Sequence, residues 1–369
     1  MVKTKAMLSF ALVVLLAGCA ASNRPLSSHP ETLVIPARVP GRFLSLALAG
    51  DTLIAVFSDR ESTTLKLLQI PVGDHLPTEA PSAAVIDKID TTPPLSPAFG
   101  EHVLAVHGAT ASVLYSVREG DDRTVLKLAS KPLDASQWTF DVVEPAGDPV
   151  AILPGDKGSL SVFWAAGSLL TRSYPDGTAA LTLRSPFGIV DRASVFASSG
   201  FTVYDGQSHA LLALGGNDGG SIRTVAGAGP VHSSLLTSDG RLAVLTWDAS
   251  TRRLFLLEGE PGASRVSRTT VTLCDGTATV ALLPVRERSR YLFLFDEERR
   301  RGGGGRVQHD LSLIAPAHVL GALGSRYRKT VLLSGDERIE GFAALEARNA
   351  LYILVNQGKL WLLRVRLVE

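Results

Sequence analysis

The sequence has few residues that could crosslink it, charge it strongly or carry it across a membrane. Its 369 residues include two cysteines, Cys19 and Cys274, so at most one internal disulfide could form. No apolar run reaches the roughly 20 residues that a helix needs to span a bilayer. Only 20% of the residues are charged, and 37 basic residues face 36 acidic ones, which excludes the clustered positive surface typical of nucleic-acid binding.

Motifs for catalysis and for metal or phosphate binding are also scarce. The eight histidines are scattered, and none belongs to a His-Glu-x-x-His motif. We interpret His209 and His232 as surface or structural residues, and Cys274, in the run "VTLC", as a small buried side chain. No Gly-x-Ser-x-Gly elbow and no phosphate-binding glycine loop is present. The sequence therefore predicts no catalytic residue, no metal and no cofactor.

The first residues have the order of a secretory leader. Lys3 and Lys5 precede an apolar core from Ala6 to Leu16, and the small residues Ala17 and Gly18 follow. This order predicts a signal peptide over residues 1–18. A permanent membrane-spanning helix is the alternative, but the apolar core is too short to favour it.

The residues that end the leader resemble a family signature. "LLAGC", residues 15–19, is similar to the lipobox of bacterial lipoproteins. The resemblance implies that Leu16, Ala17 and Gly18 are recognised by the signal peptidase, that Cys19 receives a diacylglyceryl group, and that its new amino group is acylated. Two or more acyl chains hold a protein stably on a bilayer. A soluble secreted protein is the alternative.

The residues after Cys19 indicate where the anchor lies. Ala20, in place of Asp, resembles the sorting rule that sends lipoproteins to the outer membrane, so we expect a cell-envelope protein held there by its lipid. The polar stretch "AASNRPLSSHPET" predicts a flexible tether over residues 19–31. Loss of Lys3 and Lys5 with the leader leaves a net charge of about −1.

From residue 32 onward, one unit repeats: an apolar strand, a turn and a second apolar strand. Its seven copies begin at Asp51, Glu101, Gly158, Gly200, Gly240, Arg290 and Asn349, about fifty residues apart. Several copies place a turn former after the first strand, as in Tyr204-Asp205, Trp247-Asp248, Phe295-Asp296 and Val355-Asn356. The copies predict a series of β-hairpins.

Each hairpin has a further strand on either side. Gly/Ala-rich segments come before it, from "RFLSLALAG" and "PPLSPAFG" through to "IEGFAALEA", and their small residues suit a crowded innermost strand. A fourth strand, such as "AAVIDKI" or "TFDVVE", follows most hairpins. The sequence thus predicts an all-β β-propeller over residues 32–369 with seven four-stranded blades, six or eight being alternatives. The strand Thr32–Ala37 is expected to close the last blade. A two-sheet sandwich, or two smaller β domains, remains open.

Two resemblances are limited to layout or to a single motif. A lipobox, a tether and a propeller resemble the scaffold lipoprotein of the outer-membrane β-barrel assembly machinery, whose Trp/Gly blade signature is absent here. "TSDGRLAVLTW", residues 237–247, resembles one imperfect Asp-box of sialidases, which is a structural motif. Neither resemblance implies a glycosidase.

Two segments depart from the repeat. The hairpin "RERSRYLFLFDEERRRGGGGR" places Arg299, Arg300, Arg301 and Arg306 near Glu297 and Glu298. These arginines either contact lipid phosphates or an acidic partner, or form a solvated loop neutralised by its own acids, which is the simpler interpretation. "APAHVLGALGSRYRK", residues 315–329, predicts a short helix or an ordered insertion.

Two functions fit these observations. The favoured hypothesis is a non-catalytic, lipid-anchored propeller that acts as an interaction scaffold for other envelope proteins, with no nucleic-acid partner. The alternative is a glycan-binding or hydrolytic propeller whose site lies in the central channel. Three or more ionisable residues that converge in the channel would favour the alternative.

Overall fold

A computed structural model describes most of the chain after the predicted tether. The described residues are 30–37, 43–59, 61–89, 103–119, 123–144, 147–154, 160–174, 179–184, 192–196, 200–205, 210–215, 221–225, 231–236, 241–260, 267–273, 280–285, 290–301, 306–316 and 327–367. The leader residues and Cys19 therefore lie outside the described part.

Within these ranges the protein is built of β-strands. In chain order they are β1 (Glu31–Ile35), β2 (Leu44–Ala49), β3 (Thr52–Asp59), β4 (Thr64–Pro71), β5 (Ala84–Lys88), β6 (Leu104–His107), β7 (Thr110–Glu119), β8 (Arg123–Pro132), β9 (Thr139–Glu144), β10 (Asp148–Pro154), β11 (Leu160–Ala166), β12 (Leu169–Ser173), β13 (Ala179–Arg184), β14 (Arg192–Phe196), β15 (Gly200–Asp205), β16 (Ala210–Gly215), β17 (Ser221–Val225), β18 (Val231–Leu236), β19 (Leu242–Asp248), β20 (Arg253–Gly259), β21 (Ser267–Leu273), β22 (Val280–Val285), β23 (Arg290–Arg301), β24 (Arg306–Pro316), β25 (Tyr327–Gly335), β26 (Gly341–Ala347), β27 (Ala350–Gln357) and β28 (Lys359–Arg366).

The strands form separate antiparallel sheets of four. The described residues contain seven such sheets, which we number in chain order: sheet 1 is β2–β5, sheet 2 is β6–β9, sheet 3 is β10–β13, sheet 4 is β14–β17, sheet 5 is β18–β21, sheet 6 is β22–β25, and sheet 7 is β26–β28 with β1. Their first strands contact one another in the order β26, β2, β6, β10, β14, β18, β22. Sheets that meet through their first strands are the arrangement of a β-propeller, so the predicted fold class is confirmed.

The strand that follows the tether joins the last sheet, as predicted. β1 pairs antiparallel with β28, from Glu31 opposite Arg364 to Ile35 opposite Leu360. Leu33 and Ile35 are buried at 2% and 3% exposure. The first and the last of the described strands are therefore joined in one sheet, and β28 is not left as a free edge.

The core lies between the sheets, because both faces of a sheet are covered. In β3, Leu53, Ala55 and Phe57 pack in the apolar cluster shared with sheet 7, whereas Ile54 and Val56 pack in the cluster shared with sheet 2. Since side chains alternate across a strand, one continuous apolar run supplies two cores. This burial on both faces explains why the hairpin strands read as unbroken apolar segments.

Most of the predicted strands are present, but sheet 2 differs from the prediction. The segment "PPLSPAFG", predicted as its first strand, lies outside the described residues, and the first strand is Leu104–His107. The strand Arg123–Pro132 was not predicted. Its lysines interrupt the apolar pattern, although the Lys131 side chain is buried with its ammonium 5.4 Å from the centre of the Trp138 ring.

Two further expectations require correction or fall partly outside the structure. The turn predicted at Asp296 is wrong, because β23 continues to Arg301 and Asp296 pairs with Leu311 inside the hairpin. By contrast, Asp248 does cap a turn and accepts a 2.9 Å hydrogen bond from the Ser250 N–H. Of residues 315–329, those at each end belong to β24 and β25, and the rest lie outside the described part. No helix in the described ranges is long and apolar enough to cross a membrane.

Candidate functional site

The residues of the predicted lipidation signal, Leu16, Ala17, Gly18 and Cys19, lie outside the described residues. The structure does describe the point where the predicted tether meets the folded body. Its last residue, Glu31, is the first residue of β1 and lies one strand position earlier than expected. The geometry around Glu31 therefore determines how an attached tether would hold the propeller.

Glu31 is the centre of a cluster that we call the Glu31 clamp, formed with Asp74, His75, Leu76, Arg364 and Arg366. The carboxylate accepts hydrogen bonds from the Leu76 N–H at 2.9 Å and from Arg364 Nη1 at 3.3 Å. His75 Nδ1 lies 3.2 Å away, and Arg366 Nη2 lies 3.5 Å away. Both arginines also donate to the Asp74 carbonyl oxygen. The clamp joins β1 and β28 to the segment that follows β4 of sheet 1.

The contacts in the clamp favour the ionised form of Glu31. Burial by itself would raise the pKa of this carboxyl, but the Leu76 N–H and the positive charge of Arg364 outweigh it. The pKa of Glu31 is consequently lowered below its ordinary value of 4.5. The clamp is therefore charged and intact at neutral pH.

A second polar contact joins sheets 7 and 1 where their first strands end. Arg348, in the turn between β26 and β27, donates to the Gly50 carbonyl oxygen at 2.7 Å and pairs with Asp51 in the turn between β2 and β3. β6 ends at the exposed His107, directly before the turn that leads to β7. We call this side of the propeller the turn end. Its tight turns connect buried strands, so the polar groups of the turns are held in fixed positions.

Ionisable residues on the innermost strands fall into two groups. His107 and Glu346 lie near the ends of β6 and β26, whereas Asp148, Arg192 and His232 lie near the starts of β10, β14 and β18. Asp148 is half-buried, and burial raises the pKa of its carboxyl. No hydrogen bond or ion pair joins the Asp148 carboxylate to another residue with a described side chain. No group of three His, Cys, Asp or Glu in the described ranges could hold a metal ion.

The side opposite the turn end carries a projecting hairpin in sheet 6. β22 pairs with β23 only over residues 290–295, and β25 pairs with β24 only from His309 onward. Residues 299–301 and 306–308 therefore have only each other as strand partners. We call these six residues the arm. Gln357 of sheet 7 donates to the His309 carbonyl oxygen at 3.0 Å and so fixes the base of the arm beside sheet 7.

Buried acids at the base of the arm have counterions of their own. Glu297 and Asp310 face each other across the strands, and their side chains are only 7% and 2% exposed. Lys329 lies 2.6 Å from the Glu297 carboxylate, and Arg299 lies 3.0 Å from Glu297 and 3.2 Å from Asp310. Ser312 also donates to Glu297 at 3.2 Å. Arg299, predicted as part of an anion-binding loop, is thus held by the acids of its own sheet.

The other three predicted arginines lie at the tip of the arm. Arg301 pairs directly with Arg306, and Arg300 pairs with Val307. Sequence reasoning therefore identified the tip, but it missed the Glu31 clamp and the roles of Asp310 and Lys329. Glu31 and Arg364 are separated by almost the whole chain, so no local motif connects them; only the predicted closing strand pointed to this region.

Comparison with known proteins identifies the fold but not a family. No protein-family model matches the chain, and no curated protein sequence matches it. Among solved structures, YCF48 bound to a D1 peptide has a TM-score of 0.52 at 12% identity and covers 91% of this chain and 95% of its own. The WD40 repeats of RRP9 have a TM-score of 0.51 at 9% identity, with 93% and 99% covered. A phage phi92 endosialidase has a TM-score of 0.47 at 11% identity, with 92% and 69% covered.

Proposed function

We propose that this protein is a lipid-anchored β-propeller of the bacterial envelope that acts as a non-catalytic scaffold for other envelope proteins. The lipobox-like "LLAGC" supplies the anchor at Cys19, and Ala20 directs it to the outer membrane. The propeller supplies a rigid body whose turns and hairpins are available for recognition. YCF48 bound to a D1 peptide is an example of such a fold in complex with a peptide.

The Glu31 clamp is the observation that carries this proposal. Arg364, Arg366 and the segment from Asp74 to Leu76 hold the first folded residue after the tether. Glu31 thereby contacts the last sheet and the segment that follows β4 in the first sheet. A pull on the tether is passed to the joined ends of the propeller and not to a loose terminus. This construction suits a body that must stay folded while it is held at a surface.

The anchor is tested by replacement of its attachment residue. We expect Cys19→Ser to move the protein from the membrane fraction to the soluble fraction and to abolish incorporation of labelled palmitate. Cys274→Ser is the matched control and should change neither result. If the Cys19→Ser protein remains in the membrane fraction, the lipid anchor is not what holds it.

The scaffold role is tested in intact cells. Gentle crosslinking followed by affinity purification should recover the wild-type protein with specific envelope proteins, and the Cys19→Ser protein should recover fewer of them. Recovery of the wild-type protein alone would contradict the scaffold function without bearing on the anchor.

A glycan-binding or hydrolytic site in the central channel is the second candidate. It is favoured by Asp148, a half-buried carboxyl at the start of an innermost strand with a pKa that burial raises. Arg192 and His232 lie near the same ends of the next two innermost strands. On an array of envelope glycans, we expect the Asp148→Asn variant to lose binding to any glycan that the wild-type protein binds. Equal binding by the two proteins, or none by either, would reject this candidate.

A further inference from the structure

The tip of the arm has an unusual pairing of charges. Arg301 and Arg306 are the last paired residues of the hairpin before its connection. The corresponding pairs in sheets 2 and 5 are Glu119 with Arg123 and Asp248 with Arg253, which are opposite in charge. Directly opposed residues on antiparallel strands have Cβ atoms about 5 Å apart, and like charges at that separation destabilise the pair. In the described hairpins, only the arm ends in a pair of like charges.

Two buried acids of the same hairpin, Glu297 and Asp310, already have counterions. Arg299 and Lys329 contact Glu297, and Arg299 also contacts Asp310. Charge therefore changes along the hairpin from neutralised acids at its base to Arg300, Arg301 and Arg306 at its tip. Three arginine positions therefore lie within a few residues of one another at the tip, where an acidic partner could offset their charge.

The position of the arm distinguishes between two sources of anions, a bilayer and a protein. Gln357, at the end of β27, contacts the base of the arm at His309. Glu31 pairs with Arg364, which lies further along β28 toward the turn end. Arg364 lies five positions along β28 from Lys359, and Arg306 lies three positions along β24 from His309. At about 3.3 Å per residue, the tip and the clamp are therefore roughly 25 Å apart along the strands. The tip points away from the end at which the chain enters the fold.

The tether has a limited reach. The 12 residues from Cys19 to Glu31 span at most about 40 Å when fully extended. That maximum exceeds the roughly 25 Å between clamp and tip, but a flexible chain of this length has a root-mean-square span of only about 20 Å, so in most conformations of the tether the arm does not reach the bilayer. The arm is better placed to meet a molecule on the side remote from the anchor.

We propose that the tip of the arm, Arg300, Arg301 and Arg306, is a docking site for an acidic segment of a partner protein. The planar guanidinium group matches a carboxylate with two parallel hydrogen bonds, which suits glutamate- and aspartate-rich segments. This proposal rests on the proposed scaffold function and names the chemistry of its partner. The backbone positions of the three arginines support this proposal, together with the counterions of Glu297 and Asp310.

The test uses the full chain in a non-ionic detergent and a labelled decapeptide that alternates glutamate and serine. We expect the wild type to bind this peptide and not its glutamine counterpart, with affinity that falls as salt rises. The variant Arg300→Gln/Arg301→Gln/Arg306→Gln should bind at least about ten times more weakly, as expected for the loss of charge-assisted hydrogen bonds. Its melting temperature should not fall, because the substitutions also remove the like-charge pair.

The matched control removes three exposed cations elsewhere, through Lys88→Gln/Arg184→Gln/Arg328→Gln. It should bind the peptide within about twofold of the wild type, since it keeps the tip intact. Equal losses in the two triple variants would overturn the proposal, because net charge alone would then explain binding. The proposal also fails if the wild type binds neither peptide, or binds vesicles rich in phosphatidylglycerol more tightly than the glutamate peptide. These measurements do not depend on acylation, so their failure is distinguishable from failure of the anchor.

Discussion

Two buried tyrosines, each on the second strand of its sheet, differ in the partner of their hydroxyl group. Tyr115 in sheet 2 donates a 2.7 Å hydrogen bond to Asp87 of sheet 1, and Lys127 lies 4.0 Å from the same carboxylate. The hydroxyl of Tyr352 in sheet 7 is buried without a partner among the described residues. A buried polar group without a partner lowers stability, whereas a hydrogen bond to a carboxylate raises it.

Removal of each hydroxyl should therefore have opposite effects. We expect Tyr115→Phe to lower the free energy of unfolding by about 1–2 kcal/mol. Tyr352→Phe should leave it unchanged or raise it by up to about 1 kcal/mol, since the desolvation cost of the hydroxyl disappears. Urea unfolding of the two variants and the wild type measures both. A loss of stability in Tyr352→Phe as large as that in Tyr115→Phe would contradict this account.

The Glu31 clamp should make stability depend on pH in a defined direction. The pKa of Glu31 in the folded protein lies below its ordinary value of 4.5. The stability that the ionised carboxylate contributes is therefore complete above pH 4.5, and it is lost as the pH falls through the folded pKa. Glu31→Gln should lower the free energy of unfolding by about 1 kcal/mol at pH 7. The difference from wild type should shrink below pH 4.5.

Thermal unfolding from pH 7 to pH 3 measures this dependence. Glu79→Gln is the matched control, because Glu79 lies in the same segment but is exposed. We expect it to behave like the wild type throughout. If the difference in melting temperature between the wild type and Glu31→Gln stays constant down to pH 3, the charge of Glu31 is not the cause of the stability difference.

At the residue scale, sequence reasoning succeeds for local contacts and fails for distant ones. Asp248 caps its turn as predicted, because its partners Ser250 and Thr251 are its near neighbours; their hydrogen bonds lower its pKa to about 2. Asp296 has the same local pattern but lies inside a strand, because pairing with β24 extends the hairpin past it. The contacts of Glu31 with Arg364 and Asp74 depend on the closed fold, and no local pattern predicts them.

At the scale of the element, each central strand serves two cores. In β27, Leu351, Ile353 and Val355 pack against sheet 6, while Tyr352 and Leu354 pack against sheet 1. Such strands are the easiest to predict, since their central positions form an unbroken apolar run. β8 was not predicted because Lys127 and Lys131 interrupt its apolar pattern. These lysines are accommodated by Asp87 and Trp138, which lie outside β8.

Some of the described hairpin turns place a glycine at positive φ. Gly50 has a φ of 53° and an open space where a Cβ would lie, whereas Gly358 has a φ of 64° and a Cβ there would overlap the Glu337 carboxylate. We expect Gly50→Ala to cost about 1 kcal/mol from backbone strain alone. Gly358→Ala should cost more, because Glu337 must also move.

A double variant separates the two contributions. Gly358→Ala/Glu337→Ala removes the overlap but keeps the backbone strain, so relative to Glu337→Ala alone its loss should match that of Gly50→Ala. Chemical denaturation of the four variants provides the comparison. If the double variant gains nothing over Gly358→Ala, the overlap with Glu337 is not the cause of the extra cost.

At the scale of the whole molecule, β1 protects the edge of β28. A chain without residues 19–36 loses the buried side chains of Leu33 and Ile35, which should lower the free energy of unfolding by about 4 kcal/mol. It also exposes the backbone groups of β28, a template for association. A chain that lacks only residues 19–29 keeps β1 and is the control.

Sedimentation velocity and urea unfolding distinguish these two chains. We expect the longer deletion to associate and the control to stay monomeric. Added peptide "ETLVIPA" should restore the monomer by occupying the vacant edge. A stable monomer without either β1 or the peptide would show that closure by β1 is dispensable.

The architecture was predictable because it repeats: seven hairpin copies with small-residue strands before them indicated a propeller, and the N-terminal strand was expected to close it. The candidate sites were less predictable, because they join residues from different sheets. Arg348 with Asp51, Glu297 with Lys329 and Glu31 with Arg364 are each brought together only by folding. Arg300, Arg301 and Arg306 could be grouped from the sequence alone because they are close neighbours in the chain.

The pairing of Glu31 with Arg364 has a consequence for biosynthesis. A ribosome makes β1 before the other described strands and β28 after them, so β1 must wait, unpaired, until β28 has been synthesised. Contacts this far apart in sequence form slowly, since a very large loop must close before they do. Final assembly is thus a late event in folding, and an apolar segment stays exposed to chaperones and proteases until it occurs.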